Sequence, residues 1–474
     1  MTKTKNQVRV SFVGYSAFQV TGSMTLVETD SRKILIEAGL VQGGTVLQDW
    51  QANTRKLPFK PSEITHIFVG HAHADHMLLI PRLFAMGCEA QIIAPTGTKA
   101  LFEIMASDSA YIISKDAEYL SNSCGKPRLP FYTGKDVANA TAHFAEYGLD
   151  VTVTLEEDLK FRFTPSGHLI NAAQIELWVT SGNHTAKIGY TSDLGANLPR
   201  RYINKFKPLE KCNLFIGECT YAREPRPVTP KDRRNDLAKI KSVIETTCIE
   251  QKGRVLIPVF SLDRAQNMAS FIYDMFRDAK DFDVPILIDS PLTIKMFGYM
   301  RDHASEEDQV YIAELMGWKN LIMIESYEES KRWMDSGKPC CILSSAGMLN
   351  AGRSRRWAAS LLPHHNAHIL FCGFSVENSL ASKIKNFPEQ RTISIDGKKV
   401  RNACSVTDLH SFSGHMGRDD LLKYYSDIDA EKIALVHADY DAKVEFAHDL
   451  QDAISEKNKT GRVVCVNRST EILV

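Results

Sequence analysis

Short apolar runs separated by polar turns dominate the first half of the chain. "VRVSFVG" (8–14), "SMTLVET" (23–29) and "KILIEAG" (33–39) follow in succession, the last two joined by the turn "DSRK". Their length, β-branched content and turn-forming boundaries read as strands. "ITHIFVG" and "EAQIIAP" come next, with apolar "MLLIPRLFAM" between them as a helix start. "DVTVTL", "LKFRFTPSG", "QIELWVTSG", "AKIGYTSD" and "NLFIGECT" extend the strand-rich texture as far as Tyr221.

The pattern then changes. "REPRPVTPKDRRND" is rich in proline and charge, as a solvated linker at a domain crossing is. Beyond it strands alternate with helices. "VLIPVFS" leads into 263–278, where Ala265, Met268, Ala269, Ile272 and Phe276 form a helical stripe. "PILIDSP" leads into a second helix, "PCCILSS" into 352–362, and "HILFCGF" into a fourth. Such alternation predicts a parallel sheet covered on both faces. "KIALVHAD" and "RVVCVN", with the helix "DAKVEFAHDLQDAI" between them, bring back metal-type residues, so the chain is expected to return to its first domain. The expected division is 1–222, an inserted 223–400, and a returning 401–474.

Composition narrows the function classes. At 474 residues the chain exceeds one ordinary core. Lys and Arg total 57, as do Asp and Glu, so no global field draws in a polyanion and any such site must be a local patch. The ten cysteines include no C-x-x-C pair, and the closest two, Cys340 and Cys341, are adjacent in an apolar run; reduced, mostly buried thiols of a cytoplasmic protein are expected. The start, "MTKTKNQVRVSF", has no apolar targeting region, and no window approaches the ~20 apolar residues of a membrane span.

The candidate chemistry begins with "GHAHADHMLL" (70–79), directly behind a buried-type strand. Zinc needs imidazole nitrogen and carboxylate oxygen at about 2 Å from rigid elements. His71 and His73 alternate and can point the same way, while Asp75 and His76 can reach a second position past the bend. One loop could thus serve two metals but supplies too few ligands, so others must stand at other strand ends. His168 in "SGH", Asp193 in "TSD" and His437 in "VHAD" each follow a predicted strand.

H-x-H-x-D-H, then "SGH", then "TSD", in this order after "VTGSMTLVE", resembles the metallo-β-lactamase fold. "GECTYA", "IPVFSLDRAQ", "ILIDSPL", "SSAGMLNAGR", "LFCGF", "SFSGH" and "LVHAD" resemble, in order, the segments of its β-CASP branch of nucleases, closest to the compact bacterial and archaeal relatives of the cleavage and polyadenylation endonuclease subunit. The resemblance runs from about Val8 to His437. It implies an α/β chain: an αββα metallo-β-lactamase sandwich carrying an inserted parallel-sheet, Rossmann-like β-CASP domain. It also implies two Zn2+, one held by His71, His73 and His168, the other by Asp75, His76 and His437, with Asp193 bridging. Asp75, His415 of "FSGH" and Glu218 of "GECTYA" are the implied catalytic residues, His415 as general acid and Glu218 as the carboxylate that orients and charges it.

The implied reaction is hydrolysis of single-stranded RNA between the two domains to 5′-phosphate and 3′-hydroxyl ends, by an endoribonuclease with or without 5′-exonuclease action. DNA, a thioester or an amide are alternative substrates of the same core, and a non-catalytic scaffold is a third reading. A homodimer is the common assembly among similar proteins, and no membrane partner is expected. Some positions depart from the family pattern. Glu37 stands for an aspartate and is one methylene longer, so its hydrogen bond to a ligand is expected to shift; it is left outside the metal shell. Gly70 replaces a hydroxylic residue, Met77 and Leu78 replace smaller ones, and "FSGHMGR" lacks an acidic residue past its histidine. For local phosphate contacts, Arg353, Arg355 and Arg356 and the strand-to-helix turns "SSAGMLNAG" and "GFSVENSLAS" are the candidates, against ordinary surface arginines and helix starts.

Overall fold

The strands of the first half pair into two sheets whose apolar faces meet. In the computed structural model, which describes residues 6–196, 200–223, 228–350, 352–373, 375, 379–386 and 391–474, the first sheet runs Glu471–Leu473, Arg9–Phe12, Thr25–Glu28, Lys33–Ile36, His66–Phe68, Gln91–Pro95, Phe144–Tyr147. Its first four strands are antiparallel and the rest join in parallel. The second sheet runs Arg462–Cys465, Ala430–Val436, Cys212–Glu218, His184–Tyr190, Ala173–Ser181, Leu159–Pro165, Thr152–Glu156. Here the first four strands are parallel and the others antiparallel.

Period-two alternation aims one set of side chains from each sheet at the other. Val10, Phe12, Val27, Ile34 and Ile36 from one sheet and Phe161, Phe163, Ile175, Leu177, Ile188 and Ile216 from the other share one buried cluster. Outside the second sheet, helices Arg418–Asp427 and Tyr440–Glu456 bury Leu421, Tyr425, Phe446 and Leu450 with Phe215 and Leu435. On the first sheet, helix Thr98–Cys124 buries Leu101, Phe102, Ala106, Ile113 and Leu120. The layering is αββα.

The chain divides into one compact unit of Met1–Pro199, Ile203–Pro227 and His415–Val474, and a second of Arg200–Tyr202 and Val228–Gly414. The second unit holds an all-parallel sheet in the order Leu321–Met323, Ile286–Ile288, Cys340–Ser344, Arg254–Pro258, Ala367–Phe371, Ser405–Asp408. Helices follow its strands, as the alternation predicts: Arg264–Phe276, Pro291–His303, Gly352–Leu361 and Leu380–Asn386. Trp357, Leu361, Ile342 and Ile369 pack together beneath them.

"REPRPVTPKDRRND" is only partly a linker. Residues 224–227 lie outside the described residues, but Thr229 and Asp232 form a reciprocal capping box that starts helix Pro230–Ile244. Arg233 is buried, donating from Nε and Nη2 to the carbonyl of Ser411 at 3.0 and 2.6 Å. All ten cysteines are free and most are buried. Among the described residues no helix is long and apolar enough to cross a membrane.

Candidate metal centre and acid pair

The ligand-type residues gather where strands of both sheets end. Lys33–Ile36 runs into Glu37, His66–Phe68 into the histidine loop, Leu159–Pro165 into His168, His184–Tyr190 into Asp193, and Ala430–Val436 into His437. The loop is stitched to its neighbours through the backbone: Ser23 N–H donates to Asp75 O at 2.8 Å, Ala38 N–H to His76 O at 2.8 Å, and Leu40 N–H to Ala74 O at 3.0 Å. That approach needs a glycine, because a Cβ on Gly39 would fall 1.7 Å from the Asp75 carbonyl oxygen. Glu37, Ser192 and His437 take left-handed φ of 62°, 51° and 60°. Such backbone costs about 1–3 kcal/mol per residue and persists only where its surroundings over-determine it.

Two donor sets share Asp193. His71 Nε2 and His168 Nε2 stand 3.1 and 3.2 Å from His73 Nδ1, and each is 3.5 Å from Asp193 Oδ2. On the other side, His76 Nε2 is 3.3 Å from Asp193 Oδ1 and 3.7 Å from Asp75 Oδ2, while His437 Nε2 is 3.4 Å from Asp75 Oδ2. Bonds of about 2.0–2.1 Å in a tetrahedron place ligand atoms roughly 3.3 Å apart, so these spacings fit zinc. His76 Nε2 and Asp193 Oδ1 are buried and have no hydrogen-bond partner among the described residues. A cation would satisfy both, where orphaned polar atoms otherwise cost about 1–3 kcal/mol each.

Charge runs the same way. Burial, with His71 beside it, drives the His73 imidazole down to about 3, and burial also holds His168 well below its ordinary value. Both are held neutral, the form in which an imidazole binds a metal. Burial opposes ionisation of Asp193, but His76, His437 and His415 outweigh it and keep the carboxyl well below its usual range. Burial likewise opposes a charge on His76, yet Asp193, Glu37 and Asp75 hold its pKa well above 6.5. A proton there stands in for the positive charge that the site favours.

The outer faces of the rings are held from behind. Glu37 is fully buried; its Oε2 meets His76 Nδ1 at 2.5 Å and accepts from Tyr190 Oη at 2.6 Å, and its Oε1 accepts from Ser192 Oγ at 2.6 Å. Ser192 Oγ in turn meets His71 Nδ1 at 2.9 Å. The longer glutamate therefore reaches His76 directly. Thr220 Oγ1 lies 3.0 Å from His437 Nδ1. Tyr190, Ser192 and Thr220 were not legible as site residues; their only signal is a hydroxyl within three positions of Asp193 or Glu218.

His415 joins the same place. Its Nδ1 is 3.3 Å from Glu218 Oε1, its Nε2 is 3.9 Å from Asp193 Oδ2, and its ring lies 4.6 Å from that of His168. Glu218 is buried and accepts from the N–H groups of Leu194 and Thr220 at 3.2 and 2.7 Å, which fixes the carboxylate facing the imidazole. Every metal and catalytic position singled out from the sequence is thus within one cluster.

The phosphate candidates belong to the second unit and are engaged within it. Arg353 donates to Asp289 Oδ1 at 2.7 Å and to the carbonyls of Ile324 and Glu325, an internal tie. Arg355 binds Asp396 at 2.9 Å, and Arg356 lies over the Tyr327 ring. Ser354 N–H, at the helix start after "SSAGMLNAG", donates to Ser345 O at 3.1 Å. Of "GFSVENSLAS", residues 374 and 376–378 lie outside the described residues.

Comparison with known proteins points to one group. The Beta-Casp domain family model matches residues 265–384, and the model for a Zn-dependent metallo-hydrolase RNA specificity domain matches 399–461. The chain is 27% identical to Ribonuclease TTHA0252 of Thermus thermophilus over 435 residues, 90% of this chain and 92% of that protein. It is 26% identical to transcription termination factor FttA of Methanocaldococcus jannaschii over 457 residues, covering 93% and 68%. Integrator complex subunit 11 of Danio rerio is 24% identical over 86% of this chain and 64% of its own length. A crystal structure of a protein of unknown function from Enterococcus faecalis V583 superposes with a TM-score of 0.53 at 12% identity, covering 99% of this chain and all of that one, a likeness of fold.

Proposed function

We propose that this chain, which is similar to the β-CASP nucleases of the metallo-β-lactamase fold, is a two-zinc phosphodiesterase cleaving single-stranded RNA to 5′-phosphate and 3′-hydroxyl ends. His71, His73 and His168 would hold one ion, Asp75, His76 and His437 the other, and Asp193 both. When bound, the zinc pair supplies Lewis acidity that makes water nucleophilic near neutral pH and offsets charge on the phosphate. The chain's own part is positional and protonic. Glu37 and Ser192 keep a proton on Nδ1 of His76 and His71, leaving each Nε2 lone pair turned inward. Glu218 takes the Nδ1 proton of His415 in a hydrogen bond, so the imidazolium can give its Nε2 proton to the departing 3′ oxygen.

The observation that carries this reading is the His415–Glu218 pair turned toward Asp193, since an acid there is useful to a reaction that expels an alkoxide. It is supported by the RNA specificity match over the segment that contains His415 and His437. The test is cleavage of end-labelled single-stranded RNA, matching DNA and a thioester panel by the zinc-loaded protein and its His415→Ala variant. RNA cut to 5′-phosphate ends, a loss of about 10²–10⁴-fold in the variant, and unchanged zinc content are expected. Full activity in the variant overturns the acid, and thioester turnover with intact RNA overturns the substrate class.

A further inference from the structure

We propose that Gly70, Ser192 and Glu37 act as one positioning unit that fixes the tautomer and ring orientation of a ligand on each side of the centre, with the hydroxyl reaching His71 from Ser192 because residue 70 has no side chain. The inference rests on the zinc reading above and concerns how this chain supports it.

The proton positions follow from counting. The Glu37 carboxylate is buried and only accepts, and three donors reach it: Ser192 Oγ–H, Tyr190 Oη–H and His76 Nδ1–H, at 2.6, 2.6 and 2.5 Å. Ser192 spends its single proton on Glu37 and can only accept from His71, whose Nδ1 at 2.9 Å must then carry hydrogen. One carboxylate thereby sets His76 directly and His71 through a relay. With Nδ1 so engaged in both imidazoles, Nε2 is the nitrogen turned toward the donor sets described above.

Space couples the third member. A Cβ on Gly70 would stand 2.6 Å from Ser192 Oγ, 2.7 Å from Ser192 Cβ and 2.8 Å from the Ala173 carbonyl oxygen, all closer than real contacts allow. The backbone cannot retreat freely, because Gly70 O accepts from Ala173 N–H at 2.9 Å. Serine at 192 therefore requires glycine at 70, and the Ala173 carbonyl closes the same space from the other side. The side-chain length at 37 is matched to the same serine: aspartate would draw the carboxylate back by about 1.5 Å and break either the Ser192 or the His76 bond.

Zinc retention is titrated against graded chelator, and melting temperature is measured on the metal-free proteins. Ser192→Ala and Glu37→Asp are each expected to weaken zinc retention about 10- to 100-fold, a loss beyond what the fall in the metal-free melting temperature of Ser192→Ala accounts for. Ser192→Gly is expected to raise the melting temperature more in a Gly70→Ser background than in the wild type, since only there does it remove the part of the collision that Ser192 contributes. Wild-type zinc retention by Ser192→Ala, or an equal effect of Ser192→Gly in both backgrounds, overturns the unit while leaving the zinc reading intact. A wild-type protein that takes up no zinc overturns both.

Discussion

At Glu218 one carboxylate oxygen faces His415 while the other is tied to the Thr220 N–H, so the side chain cannot turn away from the imidazole. Glu218→Gln preserves shape but removes the anionic acceptor that orients His415; RNA cleavage should fall about 10- to 100-fold, with zinc content unchanged by metal analysis. Thr220→Val should act through the metal instead. It deletes the hydroxyl on His437 Nδ1, and chelator titration should find zinc about tenfold more easily removed. What the sequence reveals at this scale follows from density. Three histidines and an aspartate in six positions are conspicuous, and ligands at strand ends are recognisable by their chemistry. The supporting hydroxyls are common residues whose role exists only once strands from distant segments converge, as Ser192 does on Glu37.

At the scale of elements, Lys443 ties helix Tyr440–Glu456 to two loops. It is buried, and its Nζ donates to the carbonyls of Ala17 and of Val466, the latter at 2.7 Å. Ala17 is next to Ser16, whose carbonyl accepts the His437 N–H at 2.7 Å, so the helix steadies a ligand through the loop. Burial lowers the Lys443 pKa to about 8. The unfolded lysine, near 10.4, then binds more protons than the folded one between those values, and stability attributable to Lys443 must rise with pH across that window. Urea melts from pH 7.5 to 10 should show wild type gaining on Lys443→Met. Strands bounded by turn residues were legible, as was the parallel alternation after residue 254. The long helix Thr98–Cys124 was not: its buried stripe relies on Ala106, Ala110 and Ala117, which signal periodicity weakly. The hairpin of Thr392–Ile395 and Lys398–Arg401 was also missed, its buried Ile393 and Ile395 giving too short an alternation.

At the scale of the molecule, each unit has its own apolar core, and perturbations should separate. Asp289 is fully buried in the second unit and accepts from Arg353, Trp357 Nε1 and Ser330 Oγ. Asp289→Ala strands those donors and should destabilise that unit by about 3–5 kcal/mol. Scanning calorimetry should show its transition moving down while zinc content stays constant. Chelation should do the reverse, lowering the transition of the unit that contains His71 and His437, because only the folded form binds the ions. The two unit cores follow from the change in texture near Tyr221, but the supporting contacts from Lys443 and Asp289 depend on packing that no local pattern encodes. The donor set is drawn from His71 at one extreme to His437 at the other. A ribosome must therefore release strand Ala430–Val436 and its following turn before the set that includes His437 can assemble. On the proposed reaction, a half-made polypeptide lacks both His415 and His437 and should spare the message that encodes it.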